Sequence, residues 1–118
     1  MPTAPPGFIT PAWTAGAMIS TAEELVRFLD AVFGSALLSE DSLVAMLEGS
    51  SGGGSYGLGI YRNGTAWGHD GGIAGFLSAL FHDTGTGVTV AVLTNRFGPD
   101  APQADFLAQR LLSLANHL

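Results

Sequence analysis

The chain has 118 residues, 47% of them hydrophobic, a formal net charge of −6 and no cysteine; that is enough for one packed domain and leaves no thiolate, disulfide or cysteine-ligated zinc chemistry. Its four basic residues, Arg27, Arg62, Arg96 and Arg110, are all arginines, so no lysine serves as base, Schiff-base former or phosphate ligand. The acidic balance without a basic cluster argues against nucleic acid as a partner, and no run approaches the roughly 18 apolar residues of a membrane span.

Prolines at 2, 5, 6 and 11 predict an extended lead-in over residues 1–14. This start has neither the basic nor the apolar region of a signal peptide, and compartment is left unassigned. Ser20 and Thr21, each followed three residues later by Glu23 and Glu24, form overlapping capping boxes. Leu25, Phe28, Leu29, Val32 and Phe33 then recur at helical spacing, which predicts a helix from Thr21 to Phe33 closed by Gly34. A second, shorter helix is expected after Ser39, with Glu40 and Asp41 in its first turn, Leu43, Met46 and Leu47 as its apolar stripe and Gly49 at its end. Gly52-Gly53-Gly54 reads as a flexible loop, since a phosphate-cradling loop needs a lysine and a following helix.

From Tyr56 the period changes to two, with Tyr56, Leu58 and Ile60 alternating with Gly57, Gly59 and Tyr61. A two-residue turn at Asn63-Gly64 pairs Ile60 with Trp67 and Leu58 with His69. His69 then shares a face with Trp67 while Asp70 points to the other side, so the two cannot form a self-contained pair in a regular strand. Phe76–His82 and Val88–Asn95 are two further strands joined by the turn-forming run Asp83-Thr84-Gly85-Thr86-Gly87. Asp100, with Gln103 three residues on, is expected to cap a last helix whose Leu107, Leu111, Leu114 and Leu118 form one stripe. The fold class is α+β: a meander of about four antiparallel strands, two helices before it and one after.

The stretch Gly68-His69-Asp70-Gly71-Gly72-Ile73-Ala74-Gly75 carries the chemistry. Glycines at 68, 71, 72 and 75 leave backbone N–H groups uncovered, and converging N–H groups bind an oxyanion or a carboxylate. A metal site from His69, Asp70, His82 and Asp83 needs two strands to converge and nothing in the spacing requires it. A triad on Ser78 lacks the strained elbow such a serine needs. No cofactor and no metal are expected.

Four ordered segments resemble the C-terminal part of the serine β-lactamase-like hydrolases, the family of class C β-lactamases, D-alanyl-D-alanine carboxypeptidases and related esterases. They are Ala15–Leu25, Tyr56–Ile60, Gly68–Gly72 and Val92–Arg96. The resemblance implies a single partial domain over residues 1–118 with a partial β-lactamase/transpeptidase-like fold. It implies a small acyl substrate (β-lactam, peptide or ester), and family members are often exported. His69-Asp70-Gly71 matches the family's His-x-Gly triplet, which makes His69 a substrate-side donor and puts Asp70 and Gly71 beside it. The residue after the triplet, Gly72, is implied as an oxyanion-hole N–H. The family's Ser-x-x-Lys nucleophile motif is absent, so the isolated chain is expected to be inactive. Tyr61-Arg62-Asn63 spells the family's Tyr-x-Asn, but only six residues before His69, and is read as coincidence. The alternative is a non-catalytic binding or self-association module using the same glycine-rich edge. Without strands from upstream, Val88–Asn95 is an uncharged bare edge and self-association through it is expected.

Overall fold

The structure is a computed structural model and describes residues 10–49, 55–73, 75–96, 98, 100–115 and 117. In the described part of the expected extended lead-in, Thr10–Ala15 form a 3-10 turn rather than extended chain; Pro2, Pro5, Pro6 and the Gly52-Gly53-Gly54 loop lie outside the described residues. Helix α1 runs Ala22–Phe33 and α2 runs Glu40–Glu48. Both start where their caps dictate. Glu24 donates its N–H to the Thr21 hydroxyl at 3.2 Å, and its carboxylate accepts from the Thr21 N–H at 3.1 Å. Ser39 accepts from the Ser42 N–H, and Gly49 closes α2 with φ of 62°. Those reciprocal bonds hold the Glu24 carboxyl below its ordinary titration range, the Thr21 backbone N–H being the main cause.

Strands β1 (Tyr61–Asn63), β2 (Ala66–Ile73), β3 (Phe76–Asp83) and β4 (Val88–Thr94) form one antiparallel sheet in chain order. Helix α3 (Ala104–Ala115) follows. Alternation along the strands assigns one face of the sheet to α3 and the other to α1. Ala66, Ala79 and Phe81 pack with Ala104, Ala108 and Leu112 of α3 in a core that Tyr61, Leu77, Val88, Val90 and Val92 border. On the other face Leu29 and Val32 of α1 are buried, and Phe33 stacks on His82 at 4.3 Å between centroids. The His82 Nδ1–H donates to the Thr89 hydroxyl at 2.7 Å, and that hydroxyl donates in turn to the Asp30 carboxylate, tying α1 to β3 and β4. Burial pushes the His82 imidazole below its ordinary value; the nearby Asp30 and Asp83 carboxylates oppose that shift without overcoming it.

Three expectations are corrected. First, Tyr56–Ile60 is not a strand: the Gly57 N–H donates to the Ile60 carbonyl at 2.7 Å, Gly59 takes φ of 72°, and Tyr56 makes a lone bridge with Tyr61. Second, the β1–β2 turn is Gly64-Thr65, not Asn63-Gly64, and Trp67 pairs with Arg62 rather than Ile60. Gly64 adopts φ of 64°, while the Thr65 carbonyl accepts from both the N–H and the hydroxyl of Thr84, so the neighbouring hairpin pins the turn one residue later. The resulting two-residue slip keeps every side chain on its expected face. Third, α3 begins at Ala104, with the Leu107 N–H on the Gln103 carbonyl, so Asp100 is not its cap. Its small residues face the sheet, and Leu107, Leu111 and Leu114 are exposed by 36%, 47% and 59%; Leu118 lies outside the described residues. The alanines win because Phe81, fully buried, already fills the space above the sheet and only a small-residue row lets the helix settle on it.

Candidate active-site edge

Strand β2 carries the His-x-Gly triplet along an edge that β1 covers only in part. The pairs between β1 and β2 stop at Tyr61↔Gly68, whereas those between β2 and β3 continue to Ile73↔Phe76. A two-residue hairpin closes on a hydrogen-bonded pair, and hydrogen-bonded pairs then alternate along the strands. Asn63↔Ala66 and Tyr61↔Gly68 are therefore bonded pairs, and the Arg62 N–H, turned the other way, goes to the Ser55 carbonyl at 2.7 Å. By the same alternation the backbone groups of His69, Gly71 and Ile73 point to β3, and those of Asp70 and Gly72 point to the outer edge. Among the described residues no strand lies opposite them there.

The glycines divide by role. At Gly68 a Cβ would lie 2.0 Å from the Leu80 carbonyl oxygen and 2.5 Å from the Phe81 ring, so this glycine lets strands and core approach. At Gly71 a Cβ would meet the Ser78 hydroxyl at 2.6 Å, directly across the ladder. Gly75 takes φ of 91° with open space around it, a turn requirement. Gly72 is exposed on the free edge, which makes it the glycine of the four whose N–H is both uncovered and outward.

His69 and Asp70 do not bond each other through their side chains. The Asp70 backbone carbonyl accepts from His69 Nδ1 at 2.6 Å, and His69 Nε2 is bonded to the Tyr56 hydroxyl at 2.9 Å. The Asp70 carboxylate accepts from the Tyr61 hydroxyl at 2.9 Å. The Tyr61 ring meets both His69 and Phe81 edge-on, at 5.3 and 5.4 Å. Burial, reinforced by that bond to a carboxylate, raises the Tyr61 phenol well above its ordinary value, so it stays a protonated donor. From sequence, Tyr56 and Tyr61 read as alternating strand residues, and Tyr61 also as the start of a coincidental Tyr-x-Asn; neither reading placed them on the His-Asp pair. They are the chain's two tyrosines, and their return to the His-Asp pair needs the hairpin at 57–60, which periodicity does not show.

The remaining candidates lie elsewhere. His82 and Asp83 sit on opposite faces of β3, His82 against Phe33 and Asp83 buried with its carboxylate accepting from the Gly85 N–H at 2.8 Å. Among the described residues no group of three His, Asp or Glu side chains is placed to hold a metal ion, and no helix is long and apolar enough to cross a membrane. A cavity of about 240 Å³ lies between the β1–β2 turn and α3, lined by residues that include Asn63, Thr65, Asp83, Gln109 and Ser113, away from His69.

Comparison with known proteins is consistent with this architecture. A search of curated proteins finds no match. Among solved structures, the D-amino acid amidase from Ochrobactrum anthropi SV3, determined in complex with D-phenylalanine, superposes with a TM-score of 0.64 at 24% identity. That match covers 88% of this chain and 38% of the amidase, so the chain spans well under half the amidase's length and shares its fold over that part. The sequence model of the Beta-lactamase family matches residues 1–114, and the chain therefore belongs to the Beta-lactamase family, with the fold of its serine hydrolases.

Proposed function

We propose that this chain forms one wall of the active site of a serine hydrolase acting on β-lactam, D-Ala peptide or ester acyl groups. His69-Asp70-Gly71 is its His-x-Gly strand and the Gly72 N–H one donor of its oxyanion hole. The observation that carries this reading is the open outer edge of β2, where the backbone of Gly72 faces outward three residues after His69. An N–H so placed meets the charge that develops on an acyl oxygen in the transition state. The amidase with the matching fold is named for hydrolysis of an amide, another acyl transfer. With no lysine in the chain, Ser-x-x-Lys has to come from additional polypeptide of the same family.

The experiment is complementation. Alone, the chain should take up no acyl group from a penicillin, read by intact mass; a stoichiometric adduct on any serine would contradict a missing nucleophile. Fused to a family segment that carries Ser-x-x-Lys, it should hydrolyse a chromogenic ester or cephalosporin. In that active fusion Gly72→Val, which crowds the oxyanion position, should lower kcat about 100-fold, the scale of one lost donor. Unchanged rates in both Gly72→Val and His69→Ala would remove the assignment.

A second reading has its own observation. Strand β4 is the outer strand of the sheet on the side away from β1, and Val88–Thr94 contains no charged residue or proline. Such an edge is a template for pairing with a second copy, so self-association through β4 is proposed for the isolated chain.

A further inference from the structure

We infer that Tyr56 is the positioning residue of His69: its hydroxyl, by donating to Nε2, holds the neutral imidazole in the Nδ1–H form with Nε2 as a proton acceptor. The inference rests on the reading of His69 as the substrate-side group of this edge, and it assigns a residue outside the His-x-Gly triplet to that site.

The donor and acceptor roles follow from the partners. The Asp70 carbonyl has no hydrogen to give, so the 2.6 Å contact requires the proton on His69 Nδ1. Neutral imidazole carries one N–H, which leaves Nε2 with a lone pair. The Tyr56 hydroxyl, 2.9 Å from Nε2, is then the donor. The ring is thus tied at both nitrogens, and its faces and edges are bounded by Tyr56 and Tyr61, each at a steep interplanar angle, 88° and 74°. Tyr61 cannot exchange roles with Tyr56, because its hydroxyl is engaged by the Asp70 carboxylate.

The backbone shows why Tyr56 arrives there. The C-terminal end of α2 anchors the preceding hairpin: the Leu58 N–H donates to the Met46 carbonyl at 2.8 Å, and Gly57 lies so close that a Cβ would be 2.1 Å from that same oxygen. The glycine-rich segment 57–60 is therefore a bracket between α2 and β1, and its outcome is the placement of one phenol on one imidazole. A consequence is that Nε2 does not donate to a substrate oxygen while the imidazole is neutral and Tyr56 is in place. Donation requires the ring to take a second proton or Tyr56, which is 53% exposed, to turn away.

The test is imidazole nitrogen NMR on the ¹⁵N-histidine-labelled 118-residue chain at about pH 8, where histidine is neutral at its ordinary pKa. The expected result is a protonated Nδ1 and an unprotonated Nε2 for His69. Tyr56→Phe should displace the Nε2 resonance and leave Nδ1 in place, while Tyr61→Phe leaves both unmoved. The His82 ring, whose Nδ1–H is held by Thr89, reports in the same spectra that the sheet is intact. A protonated Nε2 in the unsubstituted chain overturns the inference by itself, whether or not the variant folds. An Nε2 resonance that is the same in folded Tyr56→Phe as in the parent overturns it too. No activity enters this measurement, so its failure and a failure of the complementation experiment are separate results.

Discussion

Replacing Gly68 by alanine separates packing positions from edge positions in the glycine-rich strand. The added Cβ would stand 2.0 Å from the Leu80 carbonyl oxygen, 2.5 Å from a Phe81 ring carbon and 2.7 Å from the Phe81 Cα. Two of those three atoms are backbone, held by the β2–β3 ladder, and the third belongs to a side chain that is fully buried. None can swing aside, so strand and core must move apart. Overpacking of this kind costs about 3 kcal/mol, offset by the roughly 0.5–1 kcal/mol that alanine gains over glycine within a strand. The net loss is about 2 kcal/mol, which at a urea dependence of about 1 kcal/mol per molar lowers the unfolding midpoint by about 2 M. Gly72→Ala is the matched control, because Gly72 lies on the exposed outer edge in regular strand pairing with Leu77; it should be neutral or stabilising by up to about 1 kcal/mol. Urea unfolding followed by far-ultraviolet circular dichroism reads both. If Gly68→Ala unfolds within about 0.5 kcal/mol of the parent, or no earlier than Gly72→Ala, the division of the glycines into packing and edge positions is wrong.

Acid sensitivity should be traceable to His82. Its folded-state pKa is depressed below the ordinary 6.5 by burial, so the unfolded chain takes up the proton first. Its contribution is present above that value and is lost as pH falls toward the folded pKa. Stability measured from pH ~7 to ~5 should therefore drop, and His82→Gln should flatten the drop; identical slopes in the two proteins would rule His82 out as the source. Self-association should respond to Leu93→Lys, which puts a charge at an exposed position of β4 (43%) without entering the α3 core that Val88, Val90 and Val92 border. Light scattering after size exclusion should move from oligomer to monomer. A parent chain that is already monodisperse and monomeric at micromolar concentration would show the edge to be protected.

The sequence by itself determined what depends on neighbours a few residues apart. The ends of α1 and α2 follow from Thr21, Glu24, Gly34, Ser39 and Gly49, whose capping bonds span at most four residues. The meander follows from β-branched runs and glycine-bearing turns, and the opposite faces of His69 and Asp70 follow from a period of two that a two-residue slip cannot change. Tertiary structure decided everything that a second element had to arbitrate. Thr84, from the next hairpin, moved the β1–β2 turn to Gly64-Thr65. Phe81 and the sheet chose the alanine row of α3 over the leucine row, since a local hydrophobic pattern counts side chains and a packed interface counts the space they must fill. Tyr56 reached His69 across thirteen residues of chain only because α2 braces the Gly57–Ile60 bracket. That is a contact between three elements, which no window along the chain contains.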